Sequence, residues 1–343
     1  MYSNNLSEIV SLKDEFEGLK VPVKFARYRN LWEKAGNFQC LTDFPLHLDI
    51  ELSGVCNLRC DFCSQDGLIT EPLGMMKEGL FQKIINDGVE NGLCAIKLQI
   101  RGESFLHPKL FDCIRYAKDA GVMDVQVTTN GTLLDEKCIH KVFDSGLDRI
   151  VFSVDAHHSE NYKQRYSTQK YSSVEYNVKR FLELRTELGI SRPWVRLQAS
   201  IPQTDAFHVK QTRLYIEGKF PEADMVGVNR IYDFCDDIDS FPDLHKNYKM
   251  LPCSYLMQRL SVFWNGDVTT CCMDYNNHFK LGNVEYQTIQ EIWLSEKMYQ
   301  FRKTHFSGQR KTMSICKYCH NSTILLSDKN VLDNTPGHIA EYT

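Results

Sequence analysis

The chain has 343 residues, enough for one large domain or for a large domain plus a smaller one. Charged residues make up 24% of it and the formal net charge is −4, so it lacks the excess of clustered lysine and arginine that nucleic-acid binding requires. The N-terminal region mixes acidic and basic residues without an apolar signal segment, and no apolar run is long enough to span a bilayer. We therefore expect a cytoplasmic protein with no nucleic-acid or membrane partner, in which thirteen cysteines favour metal or redox chemistry over disulfides.

Between residues 46 and 235, short β-branched runs alternate with longer amphipathic stretches. The predicted strands are Leu46–Leu52, Ala95–Ile100, Asp124–Thr129, Arg149–Val154, Trp194–Ile201 and Met225–Ile231. The predicted helices are Gly79–Asn91, Pro108–Ala120, Asp135–Ser145, Ser173–Leu188 and Phe207–Gly218. This alternation predicts an α/β fold with parallel strands and helices outside, and six units fit a partial (β/α)6 TIM-like barrel. In such barrels the loops after the strands build the active site.

The regions on either side of this barrel differ from it in pattern. Residues 1–45 are predicted to be a helical extension with a partial apolar stripe. Residues 236–327 contain short strands, turns and further cysteines, which predicts a small α+β domain. Residues 328–343 are predicted to be a polar tail.

Three cysteines, Cys56, Cys60 and Cys63, share one short loop after the first predicted strand. A four-iron cluster normally takes four thiolates, so three ligands would leave one iron open for chemistry. The alternative is a zinc knuckle, but structural zinc sites usually have two close pairs of ligands, and no histidine lies in this loop.

The spacing of these cysteines resembles the signature of the radical S-adenosylmethionine (SAM) family. The resemblance implies a [4Fe-4S] cluster whose open iron binds SAM, and reductive cleavage of SAM to a 5′-deoxyadenosyl radical. It also implies an electron donor such as flavodoxin or ferredoxin. Phe62 stands where the family places an aromatic residue near the adenine, although it could simply pack beneath the cluster.

The end of the second predicted strand reads Arg101-Gly102-Glu103, where the family has Gly-Gly-Glu. The resemblance implies that Gly102 and Glu103 receive the ammonium group of SAM, and Arg101 is a departure from the pattern. The alternative is that Gly102 only makes a turn.

Later strand ends resemble further SAM-binding elements of the family. Asn130 belongs to a Thr-Asn-Gly element facing the barrel mouth, and Ser153 and Asp155 resemble the pair that binds the ribose and the carboxylate. A helix N-cap would also explain Asp155. Arg165 is a candidate for the SAM carboxylate, with a solvated surface arginine as the alternative.

The C-terminal cysteines form a second set, made of Cys253, Cys271, Cys316 and Cys319. Their spacing resembles the shortened "twitch" form of the SPASM extension, which implies one auxiliary [4Fe-4S] cluster. Four cysteines could equally hold zinc. Cys272 could replace Cys271 as the ligand.

The resemblance implies a radical SAM oxidoreductase of dehydrogenase or epimerase type, acting on a small hydroxylated molecule such as a sugar or an aminocyclitol. Cys272 and Cys235 are candidate hydrogen-atom donors for epimerisation, although Cys272 could be only a small buried residue. A peptide- or protein-modifying maturase is the first alternative. A non-catalytic metal-binding protein is the second.

Overall fold

The computed structural model describes residues 9–60, 63, 65, 68, 73–154, 168–201, 206–230, 248–317, 319 and 323–325. The strands in these ranges are β1 Ile9–Val10, β2 Leu41–Thr42, β3 His47–Ile50, β4 Ala95–Lys97, β5 Asp124–Thr129, β6 Arg149–Ser153, β7 Trp194–Ile201, β8 Met225–Arg230, β9 Tyr248–Met250, β10 Arg259–Val262, β11 Asp267–Thr269, β12 Gly282–Asn283 and β13 Thr323–Leu325. The α-helices are α1 Leu12–Phe16, α2 Val21–Gly36, α3 Glu78–Glu90, α4 Leu110–Asp119, α5 Glu136–Asp144, α6 Thr168–Glu187, α7 Ala206–Lys219, α8 Ile289–Trp293 and α9 Glu296–Phe306.

The six strands β3 to β8 pair in parallel and in chain order within a larger sheet. One helix of the set α3 to α7 separates each strand from the next along the chain. Parallel neighbours need such crossover connections, and the helices cover the outside of the sheet. The predicted α/β fold with a partial (β/α)6 barrel is therefore confirmed.

The ends of two strands differ from the predictions Leu46–Leu52 and Ala95–Ile100, because β3 and β4 are shorter. The chain nevertheless continues in the strand direction. The Glu51 N–H donates to the Val262 carbonyl at 2.9 Å, and the Leu98 N–H donates to the Gln126 carbonyl at 2.8 Å. The apolar and polar alternation therefore runs beyond the regular strand, and this explains the overlong predictions.

The C-terminal strands belong to the same sheet as the barrel. Strand β10 pairs in parallel with β3, and β11 and β12 follow as antiparallel neighbours, which gives nine strands in the order β12-β11-β10-β3-β4-β5-β6-β7-β8. The C-terminal segment thus extends the barrel sheet at the edge next to β3. The predicted domain boundaries stay predictions. Those between residues 235 and 236 and between residues 327 and 328 lie outside the described residues, as does the predicted tail 328–343.

The two faces of the barrel sheet differ in chemistry. On the outer face, Ile50, Val127 and Phe152 are fully buried within one apolar core that includes residues from the surrounding helices. Phe181 of α6 belongs to this core and packs edge-on against Phe152, with ring centroids 5.3 Å apart. The inner face carries mainly polar side chains. No helix in the described part of the chain is sufficiently long and apolar to cross a membrane.

The contact between Phe181 of α6 and Phe152 of β6 leads to a prediction about stability. We expect Phe181→Ala to lower the free energy of unfolding by about 3–5 kcal/mol, because it removes a buried ring and leaves a cavity. Tyr286→Ala is the control, since Tyr286 is 83% exposed, and it should change the free energy by less than about 0.5 kcal/mol. Urea unfolding of the metal-free chain measures both. Equal effects of the two substitutions would contradict the packing described for α6.

Candidate functional site

The loop after β3 carries Cys56, Cys60 and Cys63 at the carboxyl edge of the parallel strands. All three thiols are half-buried and form no disulfide. The Leu58 N–H donates to the Cys56 sulfur at 3.4 Å. The Cys63 N–H donates to the Cys60 carbonyl at 2.9 Å, which makes a turn between these two cysteines. N–H donors aimed at sulfur stabilise a thiolate and are among the features that tune cluster ligands.

Gly102 brings the end of the second barrel strand directly against this loop. A Cβ atom at position 102 would lie 2.3 Å from the Ser53 carbonyl oxygen and 2.5 Å from that of Val55. The Glu103 N–H donates to the same Val55 carbonyl at 2.9 Å. Glycine is therefore required here for close approach of two backbones, which is more than the formation of a turn.

The Glu103 carboxylate is buried between the ends of β4 and β5. It accepts hydrogen bonds from the Phe105 N–H at 3.0 Å, the Thr129 hydroxyl at 2.8 Å and the Asn130 N–H at 2.7 Å. Burial raises the pKa of Glu103, and these three donors oppose the shift. A carboxylate has about four acceptor positions, so one remains for an additional donor such as an ammonium group.

Asn130 connects the end of β5 to the cysteine loop. Its amide nitrogen donates to the Asn57 side-chain oxygen at 2.9 Å and lies 3.8 Å from the Cys56 sulfur. The Asn57 amide in turn donates to the Thr132 hydroxyl at 2.8 Å. Asn57 lies inside the cysteine motif, and sequence reasoning did not identify its contact because its partner is 75 residues away.

Ser153 ends strand β6, the second strand beyond β4 in the sheet, and is half-buried there. The other predicted residues of this region, Phe62, Asp155, Arg165 and Cys235, lie outside the described residues. The predictions for these four residues stay predictions.

Three cysteines of the second set also come together in the structure. Cys253 and Cys319 lie near enough to act electrostatically on the Cys271 sulfur. The Met273 N–H donates to that sulfur at 3.4 Å, which repeats the contact between Leu58 and Cys56. Each of these two sulfurs accepts the N–H of the residue two positions later.

The Cys272 sulfur has different surroundings although it is hydrogen-bonded to Cys271. The charges that act on it are those of Asp49, Lys97 and Arg259, on the inner face of the barrel sheet. The Asp274 N–H donates to the Cys271 carbonyl at 3.0 Å, so the two cysteines begin a turn. Cys271 lies near Cys253 and Cys319, and Cys272 lies within reach of the charges on the inner face of the barrel sheet.

One buried arginine, Arg310, is hydrogen-bonded to the backbone around the C-terminal cysteines. The Arg310 guanidinium donates to the carbonyls of Leu251 at 2.9 Å, Cys316 at 3.2 Å and Cys319 at 2.8 Å. The Cys253 N–H donates to His305 Nδ1 at 3.3 Å, and burial lowers the pKa of His305 to about 3, which keeps this ring nitrogen an acceptor. Neither residue is visible as functional in the sequence, because their partners are backbone carbonyls and N–H groups.

These donor sets fit iron–sulfur clusters. Within the described ranges, no three histidine, cysteine, aspartate or glutamate side chains converge as the ligands of a single metal ion. Half-buried thiols that accept N–H hydrogen bonds are the chemistry that such clusters take.

A partial parallel barrel with thiols in the loop after its first strand, followed by a second thiol set, defines an iron–sulfur enzyme of the radical type. Residues 50–191 match the Radical SAM superfamily, and residues 253–320 match the iron-sulfur cluster-binding domain SPASM. The chain belongs to the radical SAM superfamily and carries a SPASM domain. It is thus a radical SAM enzyme that binds a [4Fe-4S] cluster and SAM, and its SPASM domain binds auxiliary iron–sulfur clusters. Enzymes of this superfamily use a reductant and a substrate.

Known proteins resemble the chain over most of its length. The "Tungsten-containing aldehyde ferredoxin oxidoreductase cofactor-modifying protein" of Pyrococcus furiosus is 24% identical over 298 residues, which are 75% of this chain and 83% of that protein. The structure of BtrN in complex with AdoMet and 2-DOIA has a TM-score of 0.55 at 17% identity, over 80% of this chain and 93% of that one. The structure of Streptococcus suis SuiB bound to precursor peptide SuiA has a TM-score of 0.61 at 14% identity, over 87% of this chain and 75% of that one. At these identities the two structures support the fold alone.

Arg310 provides a test of how the C-terminal cysteines are arranged. We expect Arg310→Lys to keep the charge but lose the planar fork that holds three carbonyls. Reconstituted iron should then fall from about eight atoms per chain towards about four, because the auxiliary site no longer assembles. Iron analysis with Mössbauer spectroscopy measures this change. The control is Arg115→Lys on the exposed face of α4, which should retain all its iron, and full auxiliary iron in Arg310→Lys would contradict the assigned role.

Proposed function

We propose that this radical SAM enzyme oxidises or epimerises one carbon of a small hydroxylated molecule, of the sugar or aminocyclitol type. The observation that carries the proposal is a polar row across the inner face of the barrel sheet. Residues on adjacent strands stand opposite one another in register along this row. Its members are Ser261, Asp49, Lys97, Gln126 and Arg149.

This row is unusual for the interior of a parallel barrel, which branched apolar side chains usually fill. Burying polar groups is costly unless they are hydrogen-bonded or paired. Asp49 is fully buried, with Lys97 Nζ at 3.1 Å, His47 Nε2 at 3.4 Å and Arg259 Nη1 at 3.6 Å from its oxygens. Burial would raise the pKa of Asp49, but Lys97 and Arg259 outweigh it and hold this pKa well below its usual range. The carboxylate is therefore ionised.

One polar group in this row retains capacity for a ligand. Asp49 is paired with Lys97, His47 and Arg259, whereas the buried Ser261 hydroxyl opposite it has no hydrogen-bond partner among the described residues. Buried polar atoms usually have partners. Hydroxyl or ammonium groups of a sugar-like substrate would supply donors at this position, whereas an apolar substrate would leave this hydroxyl unsatisfied.

The SAM site is proposed at the carboxyl edge of the same strands. We assign Cys56, Cys60 and Cys63 as cluster ligands and the free acceptor position of Glu103 to the SAM ammonium group. Gly102, Asn130 and Ser153 shape this site, and Phe62, Asp155 and Arg165 remain proposed members of it.

When bound, the first cluster and SAM supply a 5′-deoxyadenosyl radical that removes a hydrogen atom, and the auxiliary cluster supplies an acceptor for an electron. The chain's own residues hold the target carbon and exclude water. In epimerisation, a Cys272 S–H bond would break as a new substrate C–H bond forms, and one electron from the reductant together with one proton would restore the thiol. Cys235 is the other proposed donor. In oxidation, the substrate loses a proton and a second electron instead.

We assign Cys253, Cys271, Cys316 and Cys319 to one auxiliary [4Fe-4S] cluster. The neighbourhood of Cys271 supports this choice over Cys272. Thiolate-held clusters need a reducing compartment and a low-potential electron source, so we propose a cytoplasmic location and a flavodoxin or ferredoxin as the donor.

Modification of a peptide is the second candidate, because SuiB, which has the same fold, was solved with a precursor peptide. The Pyrococcus relative, whose name describes cofactor modification, agrees better with a small molecule.

Formation of 5′-deoxyadenosine is the primary test. We expect anaerobically reconstituted protein to form 5′-deoxyadenosine from SAM and dithionite, and an amino sugar such as perdeuterated glucosamine to increase its amount and transfer deuterium to it. A peptide of similar polarity serves as the control and should do neither. No 5′-deoxyadenosine from fully loaded protein would eliminate the enzyme, and stimulation by the peptide alone would favour the second candidate.

The two adjacent cysteines form a matched pair for a second test. We expect Cys271→Ala to lose the auxiliary iron and Cys272→Ala to retain it, because Cys253 and Cys319 lie near the Cys271 sulfur. Iron content and Mössbauer spectra distinguish them, and the opposite result would transfer the ligand role to Cys272. Product formed in D2O then distinguishes epimerisation from oxidation. Epimerisation is identified if the product carries solvent deuterium on carbon and this deuterium is absent when the Cys272→Ala variant is used.

A further inference from the structure

Arg101 occupies the position of the first glycine in the Gly-Gly-Glu pattern that this part of the sequence resembles, and its side chain is almost completely buried. Its guanidinium forms a two-pronged ion pair with Glu51. The Nε atom lies 2.6 Å from Oε1, and Nη2 lies 2.7 Å from Oε2. The two side chains are 3% and 0% exposed. Both groups are therefore removed from water and depend on each other, because a lone buried charge is costly.

The same ion pair contacts the segment around Cys271, one of the cysteines of the second set. Arg101 Nη1 donates to the Tyr275 carbonyl at 2.9 Å, and the guanidinium lies 4.2 Å from the centre of the Phe263 ring. The Trp264 N–H donates to Glu51 Oε2 at 3.3 Å. Residues 263–275, called here the auxiliary segment, contain Cys271 and touch the ion pair at three points.

The backbone at Arg101 is also joined to the first cysteine loop. The Gln65 amide donates to the Gly54 carbonyl at 3.1 Å and to the Arg101 carbonyl at 3.5 Å. The adjacent Gly102 packs without any space against the Ser53 and Val55 carbonyls. A shift of Arg101 therefore displaces the start of the loop that carries Cys56.

The Trp264 ring provides a second contact between the same two parts. A Cβ atom built at Gly74 would lie 2.7 Å from this ring, and one built at Gly54 would lie 3.2 Å from it. The indole thus occupies space that only glycine leaves open, beside the backbone pairing of Gly54 with Gly74. The loop and the auxiliary segment are consequently packed against each other and hydrogen-bonded through one ion pair.

We propose that Arg101 is a positioning residue, which with Glu51 holds the first cysteine loop and the auxiliary segment in a fixed relation. The proposal goes beyond the proposed reaction and rests on it only in naming these parts as cluster-binding. A planar guanidinium can satisfy Glu51 and the Tyr275 carbonyl together, whereas the lysine ammonium is a point charge without this fork. The arginine is therefore specific, and a glycine at this position would leave Glu51 buried without its partner.

Hydrogen–deuterium exchange of the anaerobic holoenzyme tests the proposal. In Arg101→Gly and in the more conservative Arg101→Lys, we expect faster exchange in both residues 53–60 and residues 263–275, by at least about tenfold, the order expected for losing charged hydrogen bonds. Arg115→Ala, which removes an arginine with an exposed ion pair on α4, is the control and should leave both segments unchanged. Glu51→Gln should reproduce the effect of Arg101→Lys, and the double variant should add little to it.

Two results would overturn the proposal. Unchanged exchange in residues 263–275 of the lysine variant would limit Arg101 to a local role in its own loop, even if the glycine variant does not fold. Additive effects of the Glu51 and Arg101 substitutions would show that the two residues do not act together. Failure of this proposal is distinguishable from failure of the proposed reaction. Hydrogen–deuterium exchange is measured without substrate turnover, and 5′-deoxyadenosine formation by the unmodified enzyme is measured independently.

Discussion

Parallel pairing between β3 and β10 is the constraint on which the arrangement of the site depends. Strand β3 leads into the loop of Cys56, and β10 leads into the hairpin that precedes Cys271. Register between His47 and Arg259, and between Asp49 and Ser261, sets these two pieces of chain beside each other although more than two hundred residues separate them. A shift by one residue would turn Asp49 and Ser261 to the apolar outer face, where neither could be satisfied.

The inner face follows from the same pairing and explains why the barrel tolerates so many charges. Burial opposes the charge on Lys97, but the neighbouring Asp49 carboxylate raises the pKa of Lys97 above its usual value. Lys97 therefore stays protonated and the ion pair is retained. Arg259 is covered by the ring of Tyr255, 3.8 Å from the ring centre. These contacts compensate part of the desolvation cost of the charges and leave the Ser261 hydroxyl without a partner among the described residues. The buried charges of the inner face therefore depend on one another rather than on water.

Local patterns in the sequence were sufficient to predict the barrel and the positions of both cysteine sets. The alternation in Asp124–Thr129 and Trp194–Ile201 is visible residue by residue, and the observed strands have these same limits. Cysteine spacing is equally local. The partners of Arg101 could not be predicted, since Glu51 is 50 residues away and Tyr275 is 174 residues away in the chain. Glu103 is similar, because a carboxylate expected to contact only a ligand also binds the end of β5.

The two cysteine sets also differ in the charge that the chain places beside them. Glu103 acts on the Cys56 sulfur and adds negative charge to the first site. Arg310, bound to the carbonyls of Cys316 and Cys319, adds positive charge to the second. Local charge and hydrogen bonds to sulfur are among the properties that set the reduction potential of an iron–sulfur site. We therefore expect the reduction potentials of the two sites to differ.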